Sequence, residues 1–104
     1  MIREVERLKK EVVDFTQKII RIPSFTGQEE ELAGVILEKL REFNLDDAFI
    51  DEIGNVVGVI RGNTENNGPS ILLNGHLDIV PAGNLENWNE YDPFGAEIDG
   101  KGNI

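Results

Sequence analysis

An uninterrupted apolar run, Ile71-Leu72-Leu73, leads directly into Asn74-Gly75-His76-Leu77-Asp78-Ile79-Val80-Pro81, and no other stretch constrains the fold as strongly. A short continuous apolar run beside turn formers reads as a strand covered on both faces, the kind that an α/β sheet buries in its interior. His76, the only histidine in the chain, then falls at or just past the C-terminal end of that strand. Open α/β sheets place their ligands there. Side chains at i and i+2 of a strand share a face, so His76 and Asp78 project together while Leu77 turns toward the core. One imidazole nitrogen can then bind a metal ion. The other can donate its N–H to a carboxylate, which fixes the tautomer and raises ligand basicity, although Asp78 needs local backbone help to reach it. Taken alone, the pair is a short signal, and a lone histidine near a strand end is more often a hydrogen-bonded structural residue than a ligand.

The preceding residues supply the layers such a strand needs. Val5, Leu8, Val12, Phe15 and Ile19 alternate spacings of three and four, which predicts an amphipathic helix from about residue 2 to Arg21, stopped by Pro23. Thr26-Gly27-Gln28-Glu29 fits a capping box and opens a second helix, whose buried face is Leu32, Ile36, Leu40 and Phe43. Both stripes read as core-packing surfaces. Ala48-Phe49-Ile50 and Val56 to Ile60 are β-rich runs joined by Glu52-Ile53-Gly54-Asn55, a hairpin connection. Gly62 to Pro69 is a run of turn formers and reads as a surface loop. Beyond Pro81 the chain is loop-like. The aromatic segment Trp88 to Phe94 can line a substrate cleft or plug and anchor this loop, the plug being the favoured reading, and Asp99-Gly100 marks a hairpin turn. The second strand of that hairpin is only beginning at Ile104, so the chain reads as truncated there.

Composition removes whole classes of function. Twenty acidic residues against ten basic ones give a net charge of −10, which repels a phosphate backbone and argues against nucleic-acid partners. Glu29-Glu30-Glu31 and Asp46-Asp47 read as solvated faces. With no cysteine there is no disulfide framework, thiolate zinc site or cysteine nucleophile, so any metal must be held by histidine and carboxylates. No apolar run approaches the roughly 20 residues that span a bilayer, and charges interrupt the first 21 residues too often for a signal peptide. A cytoplasmic location is expected. Ser24 and Ser70 lie in no G-x-S-x-G motif, and neither P-loop nor dinucleotide-binding glycine patterns occur.

Context changes the weight of the His76 pair. Gly75-His76-Leu77-Asp78-Ile79-Val80-Pro81, followed by Trp88, Asp92-Pro93-Phe94 and Asp99-Gly100-Lys101, resembles the M20 family of metallopeptidases and deacylases. That family includes acetylornithine deacetylase, succinyl-diaminopimelate desuccinylase, carboxypeptidase G2 and aminoacylase-1. The resemblance covers essentially the whole chain, including the Ile22-Pro23-Ser24 turn, the Gly27-x-Glu29 helix start and Gly54-Asn55-Val56 entering a strand.

The resemblance implies an α/β fold, a mixed sheet covered by helices as in zinc-peptidase-like catalytic domains, of which residues 1–104 are the incomplete N-terminal part. It implies a two-zinc hydrolase of amide or peptide bonds, with cobalt or manganese as possible substitutes. In the family, the histidine matching His76 ligates a metal and the aspartate matching Asp78 orients it. The bridging aspartate, the Glu-Glu pair, a further carboxylate and a second histidine come later, starting with a Gly-Arg-Gly-x-x-Asp segment expected just beyond Ile104. The implied substrates are N-acyl amino acids or short peptides, and a homodimer of the full-length enzyme is implied as well. One imidazole and one carboxylate cannot close a tetrahedral site, so the 104 residues alone are expected to be inactive. The competing reading is a non-catalytic acidic α/β binding module, which holds if the gene ends at Ile104. Other metal hydrolases fit less well, because amidohydrolases favour His-x-His and calcineurin-like phosphoesterases favour Asp-x-His.

Overall fold

A computed structural model describes residues 1–63 and 68–104, arranged as a small α/β assembly. Part of the loop expected between Gly62 and Pro69 therefore lies outside the described residues. Helix α1 spans Ile2–Ile20 and α2 spans Glu30–Glu42, as the two stripes require. Strands β1, Asp47–Ile50, and β2, Val56–Val59, pair antiparallel with Ile50 opposite Val56 and Asp47 opposite Val59. The hairpin expected around Gly54 is thus formed. Its turn is closed by Asp51, whose Oδ1 accepts from the N–H groups of Ile53 and Asn55 at 3.0 and 2.8 Å, while Gly54 takes a φ of 96°. That backbone conformation favours glycine.

Helix α2 covers the hairpin. A side chain added at Gly58 of β2 would meet Leu45 and Leu40, so the strand approaches the helix closely there. Lys39 joins the two helices: its ammonium pairs with Glu11 of α1 and with Glu42 at 2.8 Å, and sits 5.8 and 5.4 Å from the ring centres of Phe15 and Phe43. The Glu11 hydrogen bond, then that of Glu42, raises the Lys39 pKa above its ordinary value. Helix α1 also holds the distal loop. Gln17 Nε2 donates to the carbonyl of Ala96 at 2.8 Å and Arg21 Nε to that of Gly95 at 3.2 Å. These bonds secure Ala96, buried and with a φ of 51° that non-glycine residues seldom adopt.

Several expectations are corrected. The capping box does not form: Glu29 Oε1 accepts from the Gly27 N–H at 2.9 Å, and the Thr26 hydroxyl turns away toward Asp78. The α1 stripe is only half used, since Val5 and Val12 are exposed and only the C-terminal half of the helix meets neighbours. The loop after Pro81 also contains a short 3₁₀ turn, Leu85–Asn87, which the Asn84 side chain starts by accepting from the Glu86 N–H. Trp88 and Tyr91 remain about half exposed, and the plug is made by Phe94, edge-on to Phe25 at 5.9 Å.

The largest correction concerns the run that opened the sequence analysis. Ile71, Leu72 and Leu73 form no strand, and each is close to nine-tenths exposed. Among the described residues the sheet holds β1 and β2 alone, and nothing supplies the ladder or the cover that an interior strand requires. The expected mixed sheet therefore reduces to one antiparallel pair. Ile60 likewise lies outside β2 and is exposed. Among the described residues, buried apolar side chains are confined to Leu32, Ala33 and Ala96, and the radius of gyration of 17.0 Å exceeds the roughly 13 Å of a compact domain of about 100 residues. No helix among the described residues is long and apolar enough to cross a membrane.

Candidate functional site

The residues after α1 determine where His76 and Asp78 sit. Past the end of α1 at Ile20 and past Pro23, Ser24 and Phe25 form a short strip that leads into a turn at Thr26 and Gly27. This strip meets Leu77-Asp78-Ile79 through an isolated parallel bridge between Phe25 and Ile79. The Ile79 N–H donates to the Ser24 carbonyl at 2.9 Å, and the Ser24 hydroxyl donates to the Leu77 carbonyl at 2.7 Å. Ser24 is almost fully buried at 1% exposure. Its buried hydroxyl therefore spends its one proton on the backbone that carries the His-x-Asp pair.

Within this clamp His76 and Asp78 come together, although no strand at residues 71–78 sets their side chains on one face. His76 Nδ1 lies 3.2 Å from Asp78 Oδ1 and 2.6 Å from the Asp78 carbonyl oxygen. The nearer partner is thus the backbone, the local help that a two-residue spacing needs. Both groups facing Nδ1 are acceptors, which assigns the proton of the neutral ring to Nδ1 and the lone pair to Nε2. The imidazole is 82% exposed, and among the described residues Nε2 has no hydrogen-bond partner. The other Asp78 oxygen, Oδ2, accepts from the Thr26 hydroxyl at 2.8 Å. That bond foremost, with help from the chain's own backbone and from His76, holds the Asp78 carboxyl below its usual pKa.

His76 and Asp78 border a cleft of about 720 Å³, bounded by the N-terminal end of α2 at Glu29, Glu30 and Ala33, by the β1–β2 hairpin, and by residues 72–78. As a metal site the donor set is incomplete: among the described residues no three His, Cys, Asp or Glu side chains converge to hold an ion. The chain offers one imidazole with its lone pair facing outward and an acceptor behind it. Ser24 and Thr26 were missed as site residues by sequence reasoning. Ser24 appeared only as part of a turn, and Thr26 gave a local capping signal that masked its distant partner.

No family model matches the chain, and no solved structure matches it. Curated relatives do. A Pyrococcus abyssi protein named as a LysW-lysine/LysW-ornithine hydrolase is 48% identical over 73 residues, 70% of this chain and 20% of that protein. The succinyl-diaminopimelate desuccinylase of Acinetobacter baylyi is 32% identical over 92 residues, 86% of this chain and 23% of the enzyme. The uncharacterized YgeY of Escherichia coli K12 is 29% identical over 101 residues, 95% of this chain and 24% of that protein. The chain thus spans about a fifth to a quarter of the length of the relatives it matches. These relatives match 70 to 95% of this chain, and the chain belongs to the M20 family of metallopeptidases and deacylases.

Proposed function

We propose that this chain is the first part of the catalytic domain of a metal-dependent hydrolase with the zinc-peptidase-like fold, acting on the amide or peptide bond of a small N-acyl amino acid or short peptide. The observation that carries the reading is the His76 ring, engaged at Nδ1 by two acceptors of Asp78 and left open at Nε2, in a chain whose named relatives are hydrolases. A neutral imidazole held this way has the form that metal-ligating histidines take. In this reading His76 is one zinc ligand, Asp78 is its positioning residue, and the other ligands and the proton-shuttling carboxylate come from chain outside these residues. Bound metal would supply an activated water and a polarised carbonyl. The 104 residues contribute one ligand and one wall of the cleft, and alone are inactive.

The test has two parts. A longer product carrying this sequence is analysed for metal and screened on N-acyl amino acids and dipeptides, with and without zinc or cobalt. Chelator-sensitive hydrolysis lost in His76→Ala is the expected result. A metal-free product that stays inactive after metal addition would sink the hydrolase reading. Chelator-sensitive hydrolysis by residues 1–104 alone would instead show that the missing ligands are not required.

A further inference from the structure

A hydroxyl that looks like a helix cap in sequence is used elsewhere in the molecule. Thr26 sits at the end of the strip that bridges to Ile79, and its Oγ1 donates to Asp78 Oδ2 across 52 positions of sequence. The carboxylate faces His76 Nδ1 only through its other oxygen, Oδ1, at 3.2 Å. A carboxylate at this degree of exposure can rotate about its Cβ–Cγ bond unless one oxygen is tethered. The Ser24 bonds fix the backbone of Leu77 and Ile79, but they do not fix that rotation. Among the described residues, Thr26 is the side chain other than His76 that bonds the carboxylate.

We propose that Thr26 is a positioning residue for His76. By holding Asp78 Oδ2, it keeps Oδ1 aimed at Nδ1, and so keeps the ring proton on Nδ1 and the lone pair on Nε2. The role rests on the metal-ligand reading of His76 for its purpose, but its geometry can be tested without metal. A methyl in place of the hydroxyl removes the donor while keeping the shape. A serine keeps the donor and loses only a methyl group.

Because His76 is the only histidine, a two-bond ¹⁵N–¹H correlation spectrum of the ¹⁵N-labelled 104-residue chain reports its tautomer without ambiguity. It is recorded at a pH well above the ordinary histidine range of about 6.5. The wild-type ring is expected mainly as the Nδ1–H form. In Thr26→Val the ratio of Nδ1–H to Nε2–H falls by roughly three- to tenfold, the effect of weakening one charge-assisted hydrogen bond at a partly exposed site. Thr26→Ser restores the wild-type ratio. Equal spectra for wild type and Thr26→Val would overturn the role of Thr26 and leave the metal-ligand reading standing, with the Asp78 carbonyl alone holding the ring. A wild-type spectrum identical to that of a peptide of residues 74–80 would overturn the His76–Asp78 pairing itself. Failure of Thr26→Ser to restore the ratio would assign the effect to packing and overturn the hydrogen-bond claim.

Discussion

Two turns in this chain have the same chemistry and different outcomes. Asp51-Glu52-Ile53-Gly54-Asn55 and Asp99-Gly100-Lys101-Gly102-Asn103 share aspartate, glycine and asparagine at the same three positions. In each, Oδ1 of the aspartate accepts two backbone N–H groups, Oδ2 accepts from the asparagine amide at 2.8 or 2.9 Å, and a glycine with positive φ donates to the aspartate carbonyl. The first turn is followed by a ladder that extends to Asp47 and Val59. The second closes one backbone bond, from the Asp99 N–H to the Asn103 carbonyl, and no ladder follows. The difference begins with the residues available: 47–50 and 56–59 flank the first turn on both sides, while only Ile104 follows Asn103 here, so the second turn has no second strand to pair with Glu97 and Ile98. Leu40 and Leu45 lie against Gly58 of the first hairpin, while Ile98 and Ile104 beside the second turn are about half exposed. A turn can be specified by five residues, but a ladder needs strand residues on both sides of the turn as well as cover on one of their faces.

Removing that cover has the largest expected effect. Leu40→Ala should destabilise the α2–hairpin unit by about 2 kcal/mol, read by urea unfolding. Amide exchange should show protection lost across β1 and β2 while the Asp99 turn is unchanged. Equal loss at both turns would mean that they are coupled and the contrast is false.

A smaller effect separates the turns at their glycines. Gly54→Ala forces a Cβ into a φ of 96° and should cost about 1 kcal/mol in the unfolding midpoint. Gly102→Ala strains a φ of 85° in a turn on which no ladder rests, and should leave that midpoint in place. A larger shift from Gly102 than from Gly54 would reverse the comparison.

The smallest effect is on pH dependence. The Asn55 side-chain hydrogen bond foremost lowers the Asp51 pKa, as that of Asn103 lowers the Asp99 pKa. A carboxyl depressed in the folded state stabilises at pH above the unfolded aspartate value of about 3.9 and loses that contribution as pH falls through the folded value. The unfolding midpoint should therefore be flat near neutrality and decline only below about pH 4. Asp51→Asn should flatten the decline and Asp99→Asn should not, as a pH series of urea melts would show.

What could be read in advance follows the range of the forces. The helix stripes, the stop at Pro23 and the Gly54 turn rest on neighbours within a few residues, so their periodicity and turn chemistry were legible. The approach of His76 to Asp78 was legible for the same reason, being two residues apart. Thr26 was misread because its local option, capping α2, competes with a partner 52 residues away, and no local pattern ranks the two. The strand expected at Ile71 to Asn74 failed for a related reason. An apolar run records that a segment is suited to burial, but whether it is buried depends on neighbouring strands that must be present.

The sequence by itself determined the two helices, the first hairpin, the kinship to M20 hydrolases and the adjacency of the one imidazole to one carboxylate. Only the tertiary structure decided which oxygen of Asp78 faces the ring, that Thr26 holds the other, that Ser24 clamps the backbone between them, and that the most apolar run of the chain lies in solvent. Those outcomes rest on hydrogen bonds and burial between segments some fifty residues apart. Their cost in chain entropy is repaid only when the intervening elements have already folded.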